Sequence, residues 1–503
     1  MGWVATSEIQ AAEVGREILR AGGSAGDAAV AMAAALTVTE PTSNGLGGDL
    51  FALVHDGRQV HALAANGASP RALPVDVIRA QSGKTMPLYG WPTVTVPGQI
   101  SGWGALHERF GRIPFAELME PARRLASEGF VVGRITAAAW AFAAQIHGES
   151  SPTWSKAFTD NGVPPKAGER FVAPGHAATL SWLAHEGPQA FYNAIAERIV
   201  AFAASTGGWL TLEDFRGHEA RWVAPLDVAY GGWRVFGMTA PTQGVCALTA
   251  LGMLQSPDAG SPRDIHRAIE SIKLAFADTS AIMADPTHLR VAPEALLTPD
   301  HLAARRACLG EHAGPSPAPP GIDGGTVLLC VADDAGVVAS VIQSNFYGFG
   351  SGLVVPDLGI ALQNRGAGFS LDPTHPNALG AGKQPFHTIL PGLLQTSHGM
   401  SPFGCMGGQM QPQGHVQLVT ALARGASPQA AIDAPRWRWL EDGTVALEVG
   451  FSEALGDDLE RRGHRLRRNV PSTQFGGAQM LLRTSKGFEG GSDARKDGAS
   501  LAH

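Results

Sequence analysis

The run GGTVLLCVADDAGVVASVIQ occupies residues 324–343 and carries the strongest strand pattern in the 503-residue chain. Two aliphatic runs, Val327 to Ala332 and Val337 to Gln343, flank a turn-forming DDAG segment at residues 333–336. Aliphatic, β-branched runs separated by Asp and Gly are typical of two antiparallel strands joined by a turn. The sequence therefore predicts a hairpin that opens at Thr326.

Thr326 follows a proline-rich segment, residues 311–321, whose four prolines disfavour a helix or a central strand and favour an extended, exposed connection. A threonine hydroxyl needs an adjacent base to act as a nucleophile, and the α-amine of an N-terminal threonine is one such base. Gly325 has the backbone freedom that a strained scissile bond requires. Spacing alone favours the plainer interpretation that Thr326 opens a strand, where threonine is common.

Outside this hairpin the chain alternates helical and strand patterns. Ser24 and Asp27 form a capping box ahead of an alanine-rich run. Residues 50–63 predict a second hairpin that turns at Asp56-Gly57. Helical patterns cover residues 8–21, 28–36, 104–128, 178–204 and 263–284.

Composition excludes several classes of protein. The chain is 44% hydrophobic and 17% charged, and its net charge of −7 is spread without long runs, so nothing indicates binding to nucleic acid. No run of 18 apolar residues and no signal-peptide pattern occurs, which predicts a cytoplasmic location without membrane contact. The four cysteines show no C-x-x-C spacing, so we interpret them as buried free thiols.

Two motif matches need separate comment. Residues 22–26 satisfy G-x-S-x-G, but that nucleophile motif needs a strand before the serine, whereas a helical pattern precedes Ser24. No H-E-x-x-H motif occurs, and the seventeen histidines are dispersed along the sequence. The sequence therefore predicts neither a serine hydrolase nor a metal hydrolase.

The motifs around Thr326 resemble the γ-glutamyltranspeptidase family of N-terminal-nucleophile hydrolases. Similar pieces occur in the same order over essentially the whole chain. They are GGSAGDAAV (22–30), NGLGGD (44–49), PG (97–98), LAFAD (274–278), GGT (324–326), DAGVV (334–338), QS (343–344), FGSG (349–352), GG (407–408) and GSDARKDG (491–498).

The resemblance implies an α+β fold, a four-layer αββα sandwich, and cleavage between Gly325 and Thr326. Residues 1–325 would form a large subunit and residues 326–503 a small one, together one folded unit and a heterodimer. A dimer of such heterodimers is a further option. Thr326 matches the family nucleophile, Ser344 matches a threonine that supports it, and Gly407 with Gly408 matches the pair whose N–H groups form the oxyanion hole. The resemblance implies no cofactor and no metal.

The positions that match the family's substrate pocket differ from the family pattern. Asn66 stands in place of the arginine that holds the glutamate α-carboxylate. Gly368 stands in place of the acidic residue that holds the α-ammonium group, and Phe346 in place of an asparagine. Losing both charged contacts argues against glutathione as a well-bound substrate.

A serine pair of the family pocket falls on His387 and Thr388, and Arg365 is a further new polar residue there. Arg365 and His387 could meet an anionic group of the substrate. Two plainer alternatives stay open: Arg365 could pair with a local carboxylate, and His387 could be a satisfied core histidine.

These departures, together with residues 343–350, resemble the branch of the family that includes oxamate amidohydrolase. The resemblance implies hydrolysis of a small, carboxylate-bearing, oxamate-like amide through a threonyl ester. Two alternatives remain: a glutathione hydrolase or γ-glutamyltransferase, and a non-catalytic relative that acts as a binding protein.

Overall fold

The computed structural model describes residues 2–255, 262–315 and 324–503, so the proline-rich segment predicted at 311–321 lies partly outside the described residues. The strands within this part are β1 (Trp3–Thr6), β2 (Asp49–His55), β3 (Val60–Ala65), β4 (Phe130–Val131), β5 (Arg170–Phe171), β6 (Arg221–Val223), β7 (Leu226–Tyr230), β8 (Trp233–Gly237), β9 (Gly325–Ala332), β10 (Val338–Phe346), β11 (Val354–Val355), β12 (Ile360–Ala361), β13 (Gly392–Thr396), β14 (Gly399–Cys405), β15 (Trp437–Trp439), β16 (Val445–Glu448), β17 (Leu466–Val470), β18 (Ala478–Thr484), β19 (Gly487–Ser492) and β20 (Ala499–Ala502).

The α-helices in the same part of the chain are α1 (Ile9–Arg20), α2 (Ala25–Thr39), α3 (Val75–Gln81), α4 (Gln99–Phe110), α5 (Phe115–Glu128), α6 (Arg134–His147), α7 (Pro152–Phe158), α8 (Pro174–Glu186), α9 (Ala194–Thr206), α10 (Leu212–Arg216), α11 (Gly244–Leu254), α12 (Pro262–Ile282), α13 (Pro299–Arg306), α14 (Met410–Ala423), α15 (Pro428–Asp433) and α16 (Glu453–Arg461). Short 3₁₀ turns lie at Trp91–Thr93, Pro188–Tyr192, Pro286–His288, Pro293–Leu297, Arg365–Gly368 and Ser472–Gln474.

Two antiparallel sheets form the centre of the molecule. The first has seven strands in the order β20-β1-β9-β10-β2-β3-β6, and the second has six in the order β19-β18-β14-β13-β8-β7. The predicted hairpin at residues 326–343 is the β9–β10 pair in the middle of the first sheet, and the hairpin predicted at 50–63 is the β2–β3 pair beside it. Both predictions are confirmed.

Side chains alternate between the two faces of each strand, and this alternation separates the buried core into layers. In β9, Leu328 and Cys330 lie in a cluster between the two sheets, whereas Val327 and Leu329 lie in a cluster shared with α2. The second sheet buries its other face against α11, α12 and α14. Helices therefore cover both outer faces of two stacked sheets, which confirms the predicted four-layer αββα sandwich.

Two long helical patterns prove to be helix pairs. The pattern at 104–128 is divided between α4 and α5 by residues 111–114, which end in a proline. The carboxylate of Asp27 fixes this turn by accepting hydrogen bonds from the backbone N–H groups of Arg112 and Ile113. The pattern at 178–204 is likewise divided into two helices, α8 and α9, by residues 187–193, which contain a 3₁₀ turn. Helical periodicity alone does not show such breaks.

The cysteine prediction holds for three of the four residues. Cys246, Cys330 and Cys405 are buried free thiols, but Cys308 is exposed at the end of α13 and corrects the expectation of four buried thiols. Among the helices of the described residues, none combines the length and the apolar character that crossing a bilayer requires.

Ser24→Ala tests the capping box and the rejected G-x-S-x-G motif together. The Ser24 hydroxyl accepts a hydrogen bond from the N–H of Asp27, and the Asp27 carboxylate accepts one from the N–H of Ser24, so both ends of the box are formed. We expect the free energy of unfolding to fall by about 1–2 kcal/mol, as is usual for a lost N-cap. Amide hydrolysis per folded molecule should be unchanged. Denaturant unfolding and an activity assay measure the two quantities, and abolished activity in a folded variant would contradict the assignment of Ser24 as a cap.

Candidate active site

Strand alternation brings three polar side chains to the space between the sheets. Leu328 of β9 lies in the inter-sheet core, and Thr326, two residues earlier, has the same orientation. On β10, Ser344 is related in the same way to Ile342. Asp49, the first residue of β2, pairs directly with Ser344 and therefore shares its face. A threonine, a serine and an aspartate thus meet at one end of a mainly apolar layer.

The Ser344 hydroxyl links Thr326 to the peptide bond in front of it. Ser344 Oγ donates a hydrogen bond to the carbonyl oxygen of Gly325 at 2.6 Å and accepts one from the N–H of Phe346 at 2.7 Å. The hydroxyl of Thr326 lies 3.5 Å from Ser344 Oγ, which is longer than an ordinary O–H···O bond. A hydrogen bond to a carbonyl oxygen favours attack on its carbon, because negative charge develops on that oxygen.

An irregularity in the ladder makes this contact possible. The β9–β10 register shifts between Gln343 and Phe346, so that Phe346 comes to pair with Gly325. Phe346 has a φ of 81°, a left-handed value that is rare for a residue with a side chain. A Cβ on Gly324 would lie 2.6 Å from the carbonyl oxygen of Phe346, so the chain in front of Thr326 runs directly against the shifted strand.

Gly407 and Gly408 lie across from Thr326 between β14 and α14. Their φ angles of 107° and 55° are left-handed, and a Cβ on Gly407 would lie 2.9 Å from the Cα of Gly476. Gly407 and Thr326 line the same cavity of about 680 Å³. Within the described residues neither glycine N–H donates a hydrogen bond, and both precede the positive end of a helix dipole.

Arg365 and Thr388 complete the hydrogen-bonded chain around Ser344. Arg365 is fully buried; its Nη1 donates to Thr388 Oγ1 at 3.0 Å, and its Nη2 lies 3.5 Å from Ser344 Oγ. The guanidinium also lies over the ring of Phe346, 4.0 Å from the centroid. Burial lowers the pKa of Arg365 to about 9, and the charge of Asp49 opposes this shift. Arg365 is therefore a buried residue that supports the site through its contacts with Thr388, Ser344 and the ring of Phe346.

His387 and Asp49 form a second buried contact across the two sheets. His387 Nε2 lies 2.9 Å from Asp49 Oδ2, and both side chains are fully buried. Burial, reinforced by the charge of Arg365, holds the pKa of His387 well below its usual value, so this contact joins a neutral imidazole to the carboxyl group. Burial raises the pKa of Asp49 to about 7, although a hydrogen bond from Gln363 and the charge of Arg365 lower it.

Asn66 is buried beside this contact and lines none of the cavities described here. Its carbonyl oxygen accepts a hydrogen bond from Gln384 Nε2 at 3.1 Å, while its side-chain Nδ2 has no hydrogen-bond partner among the described residues. The next residue, Gly67, donates its N–H to Asp49 Oδ1 at 3.2 Å. The structure thus brings Asn66, His387 and Arg365 together around Asp49.

Thr388 lines a second cavity of about 550 Å³ together with Phe346 and Gly368. Its other walls are mainly apolar, and Lys84 and Gln409 are among its polar lining residues. The side-chain oxygen of Gln409, which follows the glycine pair, is buried without a hydrogen-bond partner in the described part of the chain. The candidate site therefore borders two cavities, one lined by Thr326 and Gly407 and the other by Phe346 and Thr388.

Sequence reasoning missed three residues of this site. Asp49 and Gln363 had no assigned role, and Gln243 carried no signal at all. Gln243 Nε2 donates to the carbonyl oxygens of Thr388 at 2.5 Å and Gly408 at 3.0 Å, so it ties the pocket wall to the glycine pair. The NGLGGD run that ends at Asp49 was the only available signal for this set.

The fold also assembles a histidine cluster that the dispersed sequence positions did not show. His266, Glu270 and His464 offer ligand atoms that all lie within 4.8 Å of one another. Lys273 Nζ already donates to Glu270 at 2.7 Å and to the carbonyl oxygen of Gly314 at 2.6 Å, so a cation balances this carboxylate. We interpret the cluster as a hydrogen-bonded anchor for the chain near Gly314, and the absence of a metal stays a prediction.

Comparison with known proteins identifies the family of the chain. The family described as Gamma-glutamyltranspeptidase matches residues 11–503. The chain is 36% identical over 516 residues to the oxamate amidohydrolase proenzyme of Klebsiella pneumoniae, covering 97% of this chain and 95% of that protein. It is 33% identical over 518 residues to the glutathione hydrolase-like YwrD proenzyme of Bacillus subtilis, covering 99% and 98%.

Among solved structures, a cephalosporin acylase from Bacillus halodurans superposes with a TM-score of 0.95 at 40% identity, covering 100% of this chain and 96% of that one. The chain therefore belongs to the gamma-glutamyltranspeptidase family and is an enzyme of its hydrolase type.

Replacing Ser344 tests the contact with the Gly325 carbonyl. Ser344→Ala removes the donor to that oxygen, so we expect cleavage of the Gly325–Thr326 bond to slow by roughly 10²- to 10³-fold, as for a lost oxyanion donor. Ser344→Thr keeps the hydroxyl and serves as the matched control, for which cleavage should be largely retained. A time course on denaturing gels measures the rate, and equal rates for the two variants would contradict this role of the hydroxyl.

Proposed function

We propose that this member of the gamma-glutamyltranspeptidase family is a proenzyme that cleaves its own Gly325–Thr326 bond. The mature protein would then hydrolyse a carboxylate-bearing amide through an ester on Thr326. The observation that carries the proposal is the 2.6 Å hydrogen bond from Ser344 Oγ to the carbonyl oxygen of Gly325, with the Thr326 hydroxyl 3.5 Å from the same Ser344 oxygen.

In the self-cleavage step, Thr326 Oγ1 attacks the carbonyl carbon of Gly325. A C–O bond forms, the C–N bond breaks, and the hydroxyl proton passes to the departing nitrogen. Water then hydrolyses the resulting ester, leaving a carboxylate on Gly325 and a free α-amine on Thr326. The Ser344 hydroxyl supports the first step by stabilising the developing oxyanion.

In turnover, the free α-amine of Thr326 takes the proton of its own hydroxyl while the oxygen attacks the substrate amide. An N-terminal amine has an ordinary pKa of about 8, so it acts as a base close to neutral pH. Gly407 lines the same cavity as Thr326, and the N–H groups of Gly407 and of its neighbour Gly408 would stabilise the tetrahedral oxyanion. The amine leaves, and water resolves the threonyl ester.

The charges of the two cavities support a carboxylate-bearing substrate. Lys84 lines the smaller cavity, and Arg438, Arg495 and Lys496 line the larger one, where Arg495 and Lys496 also form ion pairs with carboxylates outside the lining. No Asp or Glu lines either cavity within the described residues. A γ-glutamyl group carries an α-ammonium that needs an acidic partner. The oxamate-like amide therefore remains the leading candidate, ahead of glutathione.

The strand order supports one folded unit made of two cleaved pieces. Strands from both pieces, residues 1–325 and residues 326–503, are interleaved in the first sheet, where β1 of the first piece lies between β20 and β9, and β10 of the second piece pairs with β2 of the first. The second sheet also joins both pieces, since β8 of the first pairs with β13 of the second. Neither piece contains all the strands of either central sheet. The pairing of heterodimers and the cytoplasmic location stay predictions.

Thr326→Ala tests the nucleophile. This variant lacks the attacking oxygen, so we expect only the full-length polypeptide and no amide hydrolysis. Thr326→Ser keeps a hydroxyl and is the matched control, for which two fragments should form. Intact-mass spectrometry locates the cleavage site, and fully active wild-type protein that remains uncut would overturn the proposal and also leave the binding-protein alternative without support.

A substrate panel tests the specificity. We expect the mature enzyme to release ammonia or amine faster from carboxylate-bearing amides without an ammonium group, such as oxamate, than from γ-glutamyl anilides, because no described residue lining either cavity offers an acidic partner to an α-ammonium group. The uncharged ethyl ester of oxamate is the matched control and should react more slowly. Faster cleavage of the γ-glutamyl substrates would favour the glutathione hydrolase alternative.

A further inference from the structure

Asp49 is a fully buried carboxylate that makes four hydrogen-bonding contacts beside Ser344. Its Oδ1 accepts hydrogen bonds from the N–H of Gly67 at 3.2 Å, the N–H of Gly98 at 3.0 Å and Gln363 Nε2 at 2.8 Å. Its Oδ2 contacts His387 Nε2 at 2.9 Å. The two oxygens thus hold four separate segments of the chain in one place, at the strand position that pairs with Ser344.

Arg365 brings a buried positive charge into the same region without an ion-pair partner in contact. Among the described residues no carboxylate lies within salt-bridge distance of its guanidinium, which donates to Thr388 Oγ1 instead. Asp49 is the acidic group whose charge acts on Arg365 at longer range. This excludes the direct local carboxylate pair that the sequence left open, and it makes Asp49 the counter-charge of the group that contacts Ser344 and Thr388.

We propose that Asp49 is a positioning residue that acts through Arg365 and His387. Its negative charge keeps the Arg365 guanidinium against Ser344 and Thr388, and its Oδ2 fixes His387 beside Thr388. The inference rests on the proposed function, because it assigns Asp49 a part in both self-cleavage and turnover. Asp49 itself touches neither the scissile bond nor a lining surface of the two cavities.

Charge, and not only shape, is the property that Asp49 supplies. An asparagine would fill the same volume and could still accept hydrogen bonds from Gly67 and Gly98, but it would leave Arg365 as an uncompensated buried cation. Uncompensated charge in a low-dielectric interior is strongly unfavourable. The guanidinium would then move or recruit water, and the contact with the Ser344 hydroxyl would change.

The surrounding titratable groups leave Asp49 as the one expected to change charge near neutral pH among the described residues that face it. Burial raises the pKa of Asp49 to about 7 and lowers the pKa of Arg365 only to about 9. Burial holds the pKa of His387 well below its usual value and lowers that of His218, near Gly98, to about 4. Burial and the nearby Asp49 raise the pKa of Tyr192 above its usual value.

The sign of the pH effect follows from these directions. Asp49 loses its negative charge as the pH falls through about 7, so the positioning of Arg365 weakens on the acidic side. Protonation of the Thr326 α-amine, with its ordinary pKa of about 8, also lowers turnover on that side. The free α-amine forms only after self-cleavage. The acidic limb of the self-cleavage rate therefore reports the titration of Asp49 without a contribution from the amine.

The experiment measures self-cleavage and turnover against pH in the wild-type chain and in Asp49→Asn. We expect Asp49→Asn to slow self-cleavage by about 10- to 100-fold, the loss typical of a residue that orients active-site groups, and to flatten the acidic limb. In turnover, kcat should fall while KM changes little. Asp27→Asn is the matched control, because Asp27 is equally buried, also accepts backbone N–H groups and lies outside this network. It should leave the limb unchanged.

Gln363→Leu gives a second, independent measurement should Asp49→Asn fail to fold. The Gln363 hydrogen bond lowers the pKa of Asp49, so its removal should shift the acidic limb of self-cleavage to higher pH. An unmoved limb in Gln363→Leu, or wild-type self-cleavage in Asp49→Asn, would overturn the positioning role. Absence of any cleavage in the wild-type chain would instead overturn the proposed function, so the two failures are distinguishable.

Discussion

The hydrogen bond between the Ser344 hydroxyl and the Gly325 carbonyl is the interaction on which the proposed chemistry depends. In a regular ladder the Gly325 carbonyl would be satisfied by a backbone N–H of the neighbouring strand. The register shift between Gln343 and Phe346 breaks that pattern and lets a side chain serve as the donor. A backbone donor would only stabilise the strand, whereas a hydroxyl placed here polarises the bond that the proposal expects to break. The left-handed backbone of Phe346 is the local strain that accompanies this arrangement.

The polar end of the inter-sheet core contains several incompletely satisfied groups. Arg365 Nε, His387 Nδ1, Asn66 Nδ2 and Gln409 Oε1 are buried and find no hydrogen-bond partner among the described residues. Each such group costs roughly 1–3 kcal/mol of stability, and native proteins keep few of them. Arg365 and His387 also contact Ser344, Thr388 or Asp49, so part of this cost falls on side chains of the candidate site.

The sequence predicted individual strands and helices well because their signals are local and periodic, whereas the four-layer architecture was implied by the family resemblance. Alternation in residues 326–343 placed the strands, and the Ser24–Asp27 capping box placed the start of α2. The sequence did not predict the breaks inside the two long helical patterns, because the hydrophobic periodicity continues across a turn such as residues 111–114. The structure places Thr326 close to Ser344 and to the glycine pair, whereas the catalytic roles of these residues are proposals.

The roles around Asp49 could not be predicted from spacing. Asp49 and His387 are 338 residues apart in sequence, and the 2.9 Å contact exists only because β2 and the segment before β13 face each other across the sandwich. The plain alternative for His387, a satisfied core histidine, is half correct: Nε2 is bonded and Nδ1 is not. The burial of Arg365 could not be predicted from the sequence either, because an isolated arginine is ordinarily exposed.

The position of Thr326 in the sheet explains how a chain could lose the bond before its nucleophile and keep the nucleophile in place. Val327, the next residue, pairs with Gln343 of β10, and β9 also pairs with β1 on its other edge. Both edges of the strand are therefore held by hydrogen bonds that do not involve the Gly325–Thr326 peptide. Cleavage would release the carbonyl side of that peptide, whereas the new amine would stay attached to a strand fixed on both sides. The base required by the threonine hydroxyl would thus be generated where the fold already positions it, without any further rearrangement of the two sheets.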